Sequence, residues 1–217
     1  MFALAVVIGF GVLALTHTRY REEELSGVSR KISDRLSRLW DIAHNGMREN
    51  RFLRAEKALL TILKIDEKNA AAYNRLGILY AKQKEYKDAI DCFEIASSIE
   101  PTASSLHNLG LIYYETENYL KASTAFEQAL KLEDDLAARH IAYAKVQEKL
   151  GNDKLMLEEL QKAVDLEPNN ESYLLLQKAY EALGMQADAD QIEDELKKLI
   201  VPSGRRKKVL RPRKVVI

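Results

Sequence analysis

The sequence predicts an all-α protein, an α-solenoid of about five stacked helical hairpins preceded by a single transmembrane helix. The main observation is an internal repeat, since RLGILYA at residues 75–81 returns as NLGLIYY at residues 108–114, 33 positions later. Composition also favours helix, because the 217 residues include only 4 prolines and 9 glycines. The third observation is an uncharged apolar run that begins at residue 1.

The apolar run MFALAVVIGFGVLALT predicts a membrane anchor over residues 1–18. As a helix its sixteen residues span roughly 24 Å, whereas the hydrocarbon core of a bilayer is about 30 Å thick. Including His17 and Thr18 brings the helix length closer to that thickness. A cleaved secretory signal is one alternative, although no basic residue precedes the run and ALTHT is a poor cleavage site. A buried helix of a soluble protein is the other alternative.

Basic residues follow the apolar run and none precedes it; they are Arg19, Arg21, Arg30, Lys31 and Arg35. The positive-inside rule therefore predicts a single-pass protein of the cell (inner) membrane whose remaining chain is cytoplasmic. Residues 19–35 are predicted to be a juxtamembrane linker or helix. If the apolar run is cleaved instead, the location is periplasmic or extracellular.

The repeat continues on both sides of the quoted phrases. With Ala70 as the first position, one unit carries leucine, small, aromatic and proline residues at regular places: Tyr73, Leu76, Gly77, Tyr80, Ala89, Phe93, Ala96 and Pro101. Units start at residues 36, 70, 103, 137 and 170, and the outer two match less well. The pattern resembles the tetratricopeptide repeat, which implies two antiparallel helices per unit across residues 36–202. The Leu-Gly phrase is then a packing device rather than an active-site loop.

The resemblance also implies where a partner binds, because first-helix positions form the concave groove in that family. These positions correspond here to Trp40, His44, Met47, Asn74, Ile78, His107, Leu111, Tyr114, Ile141 and Lys145. Such a stripe is apolar for an exposed surface, which suits an extended peptide or an amphipathic partner helix. The alternative is that a flanking segment of this chain packs there, either residues 27–35 or the C-terminal helix.

Residues 203–217 are predicted to be a disordered basic tail. From residue 204 onward the chain has seven basic residues and no acidic one: Arg205, Arg206, Lys207, Lys208, Arg211, Arg213 and Lys214. The whole chain is neutral, so residues 1–203 carry a net charge of −7. Anionic lipid, nucleic acid, a partner protein and the acidic body of the chain itself are the candidate targets, and a role in solubility alone is the alternative.

No catalytic, cofactor or metal site is predicted. The four histidines lack the paired spacing of metal ligands, and Cys92 is the single cysteine, so neither a disulfide nor a thiolate cluster is available within one chain. The sequence therefore predicts a membrane-anchored scaffold that binds other proteins, an arrangement that resembles bacterial membrane-anchored tetratricopeptide proteins. A secreted or periplasmic repeat protein and an adaptor that binds nucleic acid through its tail are the alternatives.

Overall fold

The computed structural model describes residues 30–200, and all regular structure in that part of the chain is α-helical. The described residues form two compact units, which we call unit 1 and unit 2, divided between Glu100 and Pro101. The predicted anchor at residues 1–18 and the predicted tail at residues 203–217 lie outside the described residues. Between residues 30 and 200, no helix has both the length and the apolar character needed to cross a bilayer.

Unit 1 contains four helices. Helix α1 covers residues 30–48, α2 Phe52–Ile65, α3 Ala70–Lys82 and α4 Tyr86–Ile99. Helices α3 and α4 pack as a hairpin, and α2 packs on α3. The predicted juxtamembrane segment is helical over its described residues, 30–35.

Unit 2 contains three hairpins. Helix α5 covers Ala103–Glu115, α6 Tyr119–Leu132, α7 Ala137–Leu150, α8 Asp153–Leu166, α9 Asn170–Ala182 and α10 Gln186–Ile200. Each hairpin also packs on the next, because α6 contacts α7 and α8 contacts α9.

Polar side chains fix where several of these helices begin. Thr102 and Ser105 form a reciprocal capping box before α5, and Asn169 and Ser172 form another before α9. Asn69 accepts a hydrogen bond from the amide of Ala72 at 2.9 Å and caps α3. These side chains satisfy amide groups that have no carbonyl partner within the helix, so the sequence sets the helix starts locally.

The turn inside each hairpin has the same backbone geometry. One residue adopts a left-handed conformation with φ between 56° and 73°, at Asn50, Lys84, Glu117, Gly151 and Gly184. The amide of the next residue then donates to a carbonyl five residues earlier, as from Glu85 to Tyr80 at 2.9 Å. This geometry is the Schellman motif, which ends one helix and directs the chain back along it.

The Leu-Gly pairs lie where two helices of a hairpin approach closely. A Cβ atom at Gly77 would lie 2.7 Å from the ring of Phe93, and one at Gly110 would lie 2.9 Å from the ring of Phe126. Both rings are essentially fully buried. The repeated phrase therefore places a glycine opposite an aromatic ring, which accounts for its return 33 residues later.

Candidate functional site

Helices α5 and α7 and the residues that lead into α9 enclose a concave pocket of about 370 Å³ in unit 2. We call it the α5–α7 pocket. Five of the ten predicted groove residues line it: His107, Leu111, Tyr114, Ile141 and Lys145. The remaining lining residues are Glu115, Phe126, Ala138, Ala142, Glu167, Asn169 and Glu171.

Helical spacing brings the predicted residues to one side of each helix. His107, Leu111 and Tyr114 stand at positions i, i+4 and i+7 of α5, and Ile141 and Lys145 stand at i and i+4 of α7. Residues at this spacing share one face of a helix. Two packed helices therefore present two parallel rows of side chains to the same cavity.

The floor of the pocket is apolar and partly accessible. Leu111 is 38% exposed, Ile141 is half-buried, and Phe126 is fully buried beneath them. Ala138 and Ala142 leave space because their side chains are short. An apolar side chain of a ligand would bury these surfaces together with its own.

His107 carries a buried nitrogen with no partner. Its Nδ1 atom lacks a hydrogen-bond partner among the described residues, and its ring packs edge-on against Phe126 with centroids 5.4 Å apart. Burial lowers the pKa of His107, and the charge of Arg139 lowers it further. The imidazole is therefore neutral near pH 7, and its ring lines the pocket while this nitrogen stays buried.

The pocket is lined by more acidic than basic side chains. Glu115, Glu167 and Glu171 contribute carboxylates, whereas Lys145 is the single cation among the lining residues. Glu167 and Asn169 were not among the predicted groove positions, because those positions all lie on first helices and these two residues precede α9. The residues before α9 line the same cavity, so a prediction that included the turn before a first helix would have found them.

Family comparison identifies the repeat. Residues 70–102 match a family model described as tetratricopeptide repeat, and residues 101–167 match a second model with the same description. Together the two matched ranges cover residues 70–167, a little under half of the chain. The matched residues include α5 and α7 and therefore most of the residues that line the α5–α7 pocket. The predicted first and fifth units lie outside the matched ranges.

Several solved structures have a similar fold. The crystal structure of MamA superposes with a TM-score of 0.68 at 20% identity, over 76% of this chain and 91% of that chain. Residues 41 to the end of MamA from Desulfovibrio magneticus RS-1 give 0.69 at 16% identity, over 77% and 96%. YrrB, a TPR protein with an unusual peptide-binding site, gives 0.62 at 19% identity, over 71% and 80%. No curated protein sequence matches this chain.

The other five predicted groove residues lie in unit 1. Trp40 and Met47 on α1 are partly buried against its core, whereas His44 is exposed. Asn74 and Ile78 on α3 are half-buried. A cavity of about 750 Å³ in this unit is lined by other residues, among them Leu39, Ile42 and Phe52. The predicted tail residues, Arg205 to Lys214, lie beyond the described part of the chain.

Tetratricopeptide spacing does not predict the buried ion pair at His140. His140 Nδ1 donates to Glu159 Oε2 at 2.6 Å, and its Nε2 donates to the carbonyl oxygen of Asp134 at 2.8 Å. Hydrogen bonding to Glu159 raises the pKa of His140, although burial opposes it. Burial alone would raise the pKa of Glu159, but hydrogen bonds from His140 and Lys162 outweigh burial and lower it. Both pKa shifts favour an imidazolium–carboxylate pair.

Neither this pair nor the cysteine offers reactive chemistry. Both nitrogens of His140 are engaged, so neither accepts a proton from a substrate in this arrangement. Burial, together with the charges of Asp88 and Asp91, raises the pKa of the Cys92 thiol to about 11. The thiolate, which is the nucleophilic form, is then scarce near pH 7. Among residues 30–200, no group of three or more His, Cys, Asp or Glu side chains is placed to hold a metal ion.

Proposed function

We propose that this protein is a protein-interaction scaffold whose α5–α7 pocket holds a peptide or amphipathic helix of a partner protein. The observation that carries the proposal is the convergence of five predicted groove residues on one cavity beside a buried, unsatisfied histidine nitrogen. An apolar floor with a few polar groups at its edge is the usual composition of a ligand site.

The pocket is the size of a few side chains rather than of a whole domain surface. A volume of about 370 Å³ accepts one or two apolar side chains of a bound segment over Leu111 and Ile141. Full burial of one such side chain contributes about 1.5–3 kcal/mol. The neutral ring of His107 lines the same pocket and adds no charge to this apolar surface.

The comparison with YrrB supports a peptide as the ligand class. YrrB is described as a TPR protein with a peptide-binding site, and its fold is similar to that of this chain. At 19% identity the likeness concerns the fold, so the residues proposed here are those of the α5–α7 pocket itself.

The proposed scaffold is anchored in the cell membrane by residues 1–18, with its repeats in the cytoplasm. This part of the proposal depends on the apolar run and on the basic residues that follow it. Anchoring would concentrate a partner of the repeats at the membrane surface, which is the use expected of such an adaptor.

Panning a displayed library of random peptides against the full chain tests the pocket. We expect a shared motif to be enriched. We also expect Leu111→Asp to weaken binding of the selected peptide at least tenfold, because it removes apolar burial worth about 1.5–3 kcal/mol and about 1.4 kcal/mol corresponds to a factor of ten. Fluorescence anisotropy of the labelled peptide measures the affinity.

The matched control is Leu120→Asp on α6. Leu120 is 73% exposed in the same unit and does not line the pocket, so this variant makes the same chemical change elsewhere. It should bind the selected peptide with the wild-type affinity. An equal loss in both variants, or no loss in Leu111→Asp, contradicts the proposal.

A further inference from the structure

The carboxylates of the α5–α7 pocket have a natural counterpart in the sequence of this chain. Glu115, Glu167 and Glu171 face one lining cation, and none of the three forms an ion pair among residues 30–200. Residues 204–217 carry seven basic side chains and no acid. Opposite charge of this kind favours association of the two segments.

The described end of helix α10 lies close to the part of α9 that lines the pocket. Helices α9 and α10 are antiparallel, and Tyr173 near the start of α9 interacts with Glu195 near the end of α10. The last turn of α10 therefore lies beside the first turn of α9, which carries Glu171. Packed helices have axes about 8–10 Å apart, so the chain leaves α10 within about one helix diameter of the pocket.

We infer that residues 204–217 of this chain occupy the α5–α7 pocket of the same molecule when no partner peptide is bound. The inference rests on the proposed function, because it assigns an internal competitor to the same site. A partner peptide then has to displace the chain's own segment, which makes the pocket self-regulated.

The sequence of the segment fits the chemistry of the pocket. Val209 and Leu210 stand between two basic runs, Arg205–Lys208 and Arg211–Lys214. The apolar pair matches the floor at Leu111 and Ile141, and the flanking cations match the carboxylates around it. Fourteen extended residues span roughly 46–50 Å, which is ample for a pocket one helix away.

A labelled synthetic peptide, GRRKKVLRPRKVVI, tests the inference by competition. It is titrated into the full chain in detergent and into a tail-neutral full chain, in which all seven basic residues from Arg205 to Lys214 are replaced by glutamine. We expect the peptide to bind the tail-neutral chain at least about tenfold more tightly, because a pocket that is nine-tenths occupied lowers apparent affinity by that factor. Equal affinity for the two chains overturns the inference and leaves the segment available to anionic lipid or nucleic acid.

Charge reversal locates the binding. In the tail-neutral chain, Glu167→Lys with Glu171→Lys should weaken peptide binding by at least about tenfold, since it replaces attraction at the pocket with repulsion. Glu181→Lys with Asp190→Lys is the control, because it makes the same net charge change at exposed residues of unit 2 outside the pocket. An equal loss in the control means attraction to the acidic body in general and overturns the inference.

Further measurements distinguish a failure of this inference from a failure of the proposed function. If the library-selected peptide is lost in Leu111→Asp but binds the wild-type and tail-neutral chains equally, the inference fails and the proposed function stands. If Leu111→Asp has no effect, the proposed function itself fails. If the wild-type chain sediments as a larger species than the Glu167→Lys and Glu171→Lys variant, the segment enters a second copy, which contradicts an intramolecular contact.

Discussion

At the scale of single residues, one missing methyl group explains the phrase that repeats along the sequence. A Cβ at Gly77 would lie 2.7 Å from the buried ring of Phe93, a separation that real Cβ atoms do not tolerate. Glycine in a helix interior ordinarily costs about 1 kcal/mol relative to alanine. Here the close approach of two helices offsets that cost.

We therefore expect Gly77→Ala to destabilise the protein by about 1–3 kcal/mol, since overpacking outweighs the gain in helix propensity. Urea denaturation measures the free energy of unfolding. In the double variant with Phe93→Leu, the smaller side chain gives the new methyl group space. The double variant should therefore lose less free energy of unfolding than the two single variants lose in total. Additive effects would show that the ring does not determine the cost.

The buried pair of His140 and Glu159 predicts a dependence of stability on pH. We expect His140→Gln to cost about 3 kcal/mol, because it leaves a buried carboxylate without its main partner. The raised pKa of His140 stabilises the fold fully below about pH 6.5, and this contribution is lost as pH rises through the folded-state pKa. The lowered pKa of Glu159 stabilises the fold above about pH 4.3, and this contribution is lost as pH falls through the folded-state pKa.

The difference between wild type and His140→Gln in the free energy of unfolding should thus be largest near pH 5–6 and should shrink at higher pH. Lys154→Ala is the control, because it removes an exposed pair with Glu158 and should cost less than about 1 kcal/mol at every pH. A difference that stays constant from pH 5 to 9 would mean that the imidazole is not ionised.

Sequence reasoning reaches some of these residues and misses others for a physical reason. Gly77 and Phe93 follow the family period, so a fixed position identifies both. His140 stands in its unit where Tyr73 stands in the unit that begins at Ala70. Its partner lies 19 residues away on another helix. A pairing of that kind depends on side-chain direction across helices, which periodicity does not specify.

At the scale of helices and turns, the left-handed residue is the repeated element. It is glycine in two hairpins but asparagine, lysine and glutamate in the other three. Because a side chain in this conformation costs about 1–2 kcal/mol, the turn at Lys84 or Glu117 is formed against strain. The repeat predicts two antiparallel helices per unit and therefore a turn between them, but it does not mark these three residues as left-handed.

We expect Gly151→Ala to destabilise the protein by about 1 kcal/mol, because alanine is strained at positive φ. No atom lies within 4 Å of the new Cβ, so the cost is conformational rather than steric. Lys84→Gly should not destabilise, whereas Lys178→Gly within α9 should cost about 1 kcal/mol. Thermal unfolding of the three variants checks this order, and a loss at Lys84 as large as that at Lys178 would contradict it.

At the scale of the whole molecule, the sequence predicts the helical hairpins well because packing repeats with a fixed period. The candidate site is predicted only in part. Five of the predicted groove residues line the α5–α7 pocket, whereas Glu167 and Asn169 lie in a turn whose place depends on how α9 packs. Of the three carboxylates in the pocket, Glu167 lies in that turn, whereas Glu115 lies on α5 and Glu171 on α9.

Membrane anchoring gives a prediction for the full chain in a bacterial cell. We expect the chain to remain with the membrane fraction after alkaline carbonate extraction, and deletion of residues 1–18 to release it, because an apolar helix partitions into the hydrocarbon core. The repeats should resist protease in spheroplasts if they are cytoplasmic. A mature chain that begins after residue 18 would contradict the anchor.

Mapping of the contact residues is the decisive test of peptide binding in the α5–α7 pocket. A library-selected peptide that carries a benzophenone is crosslinked to the full chain by light, and mass spectrometry identifies the modified residues. We expect crosslinks concentrated on Leu111, Tyr114 and Ile141. Crosslinks concentrated at the Phe52 cavity of unit 1, or scattered over exposed helix faces, would contradict it.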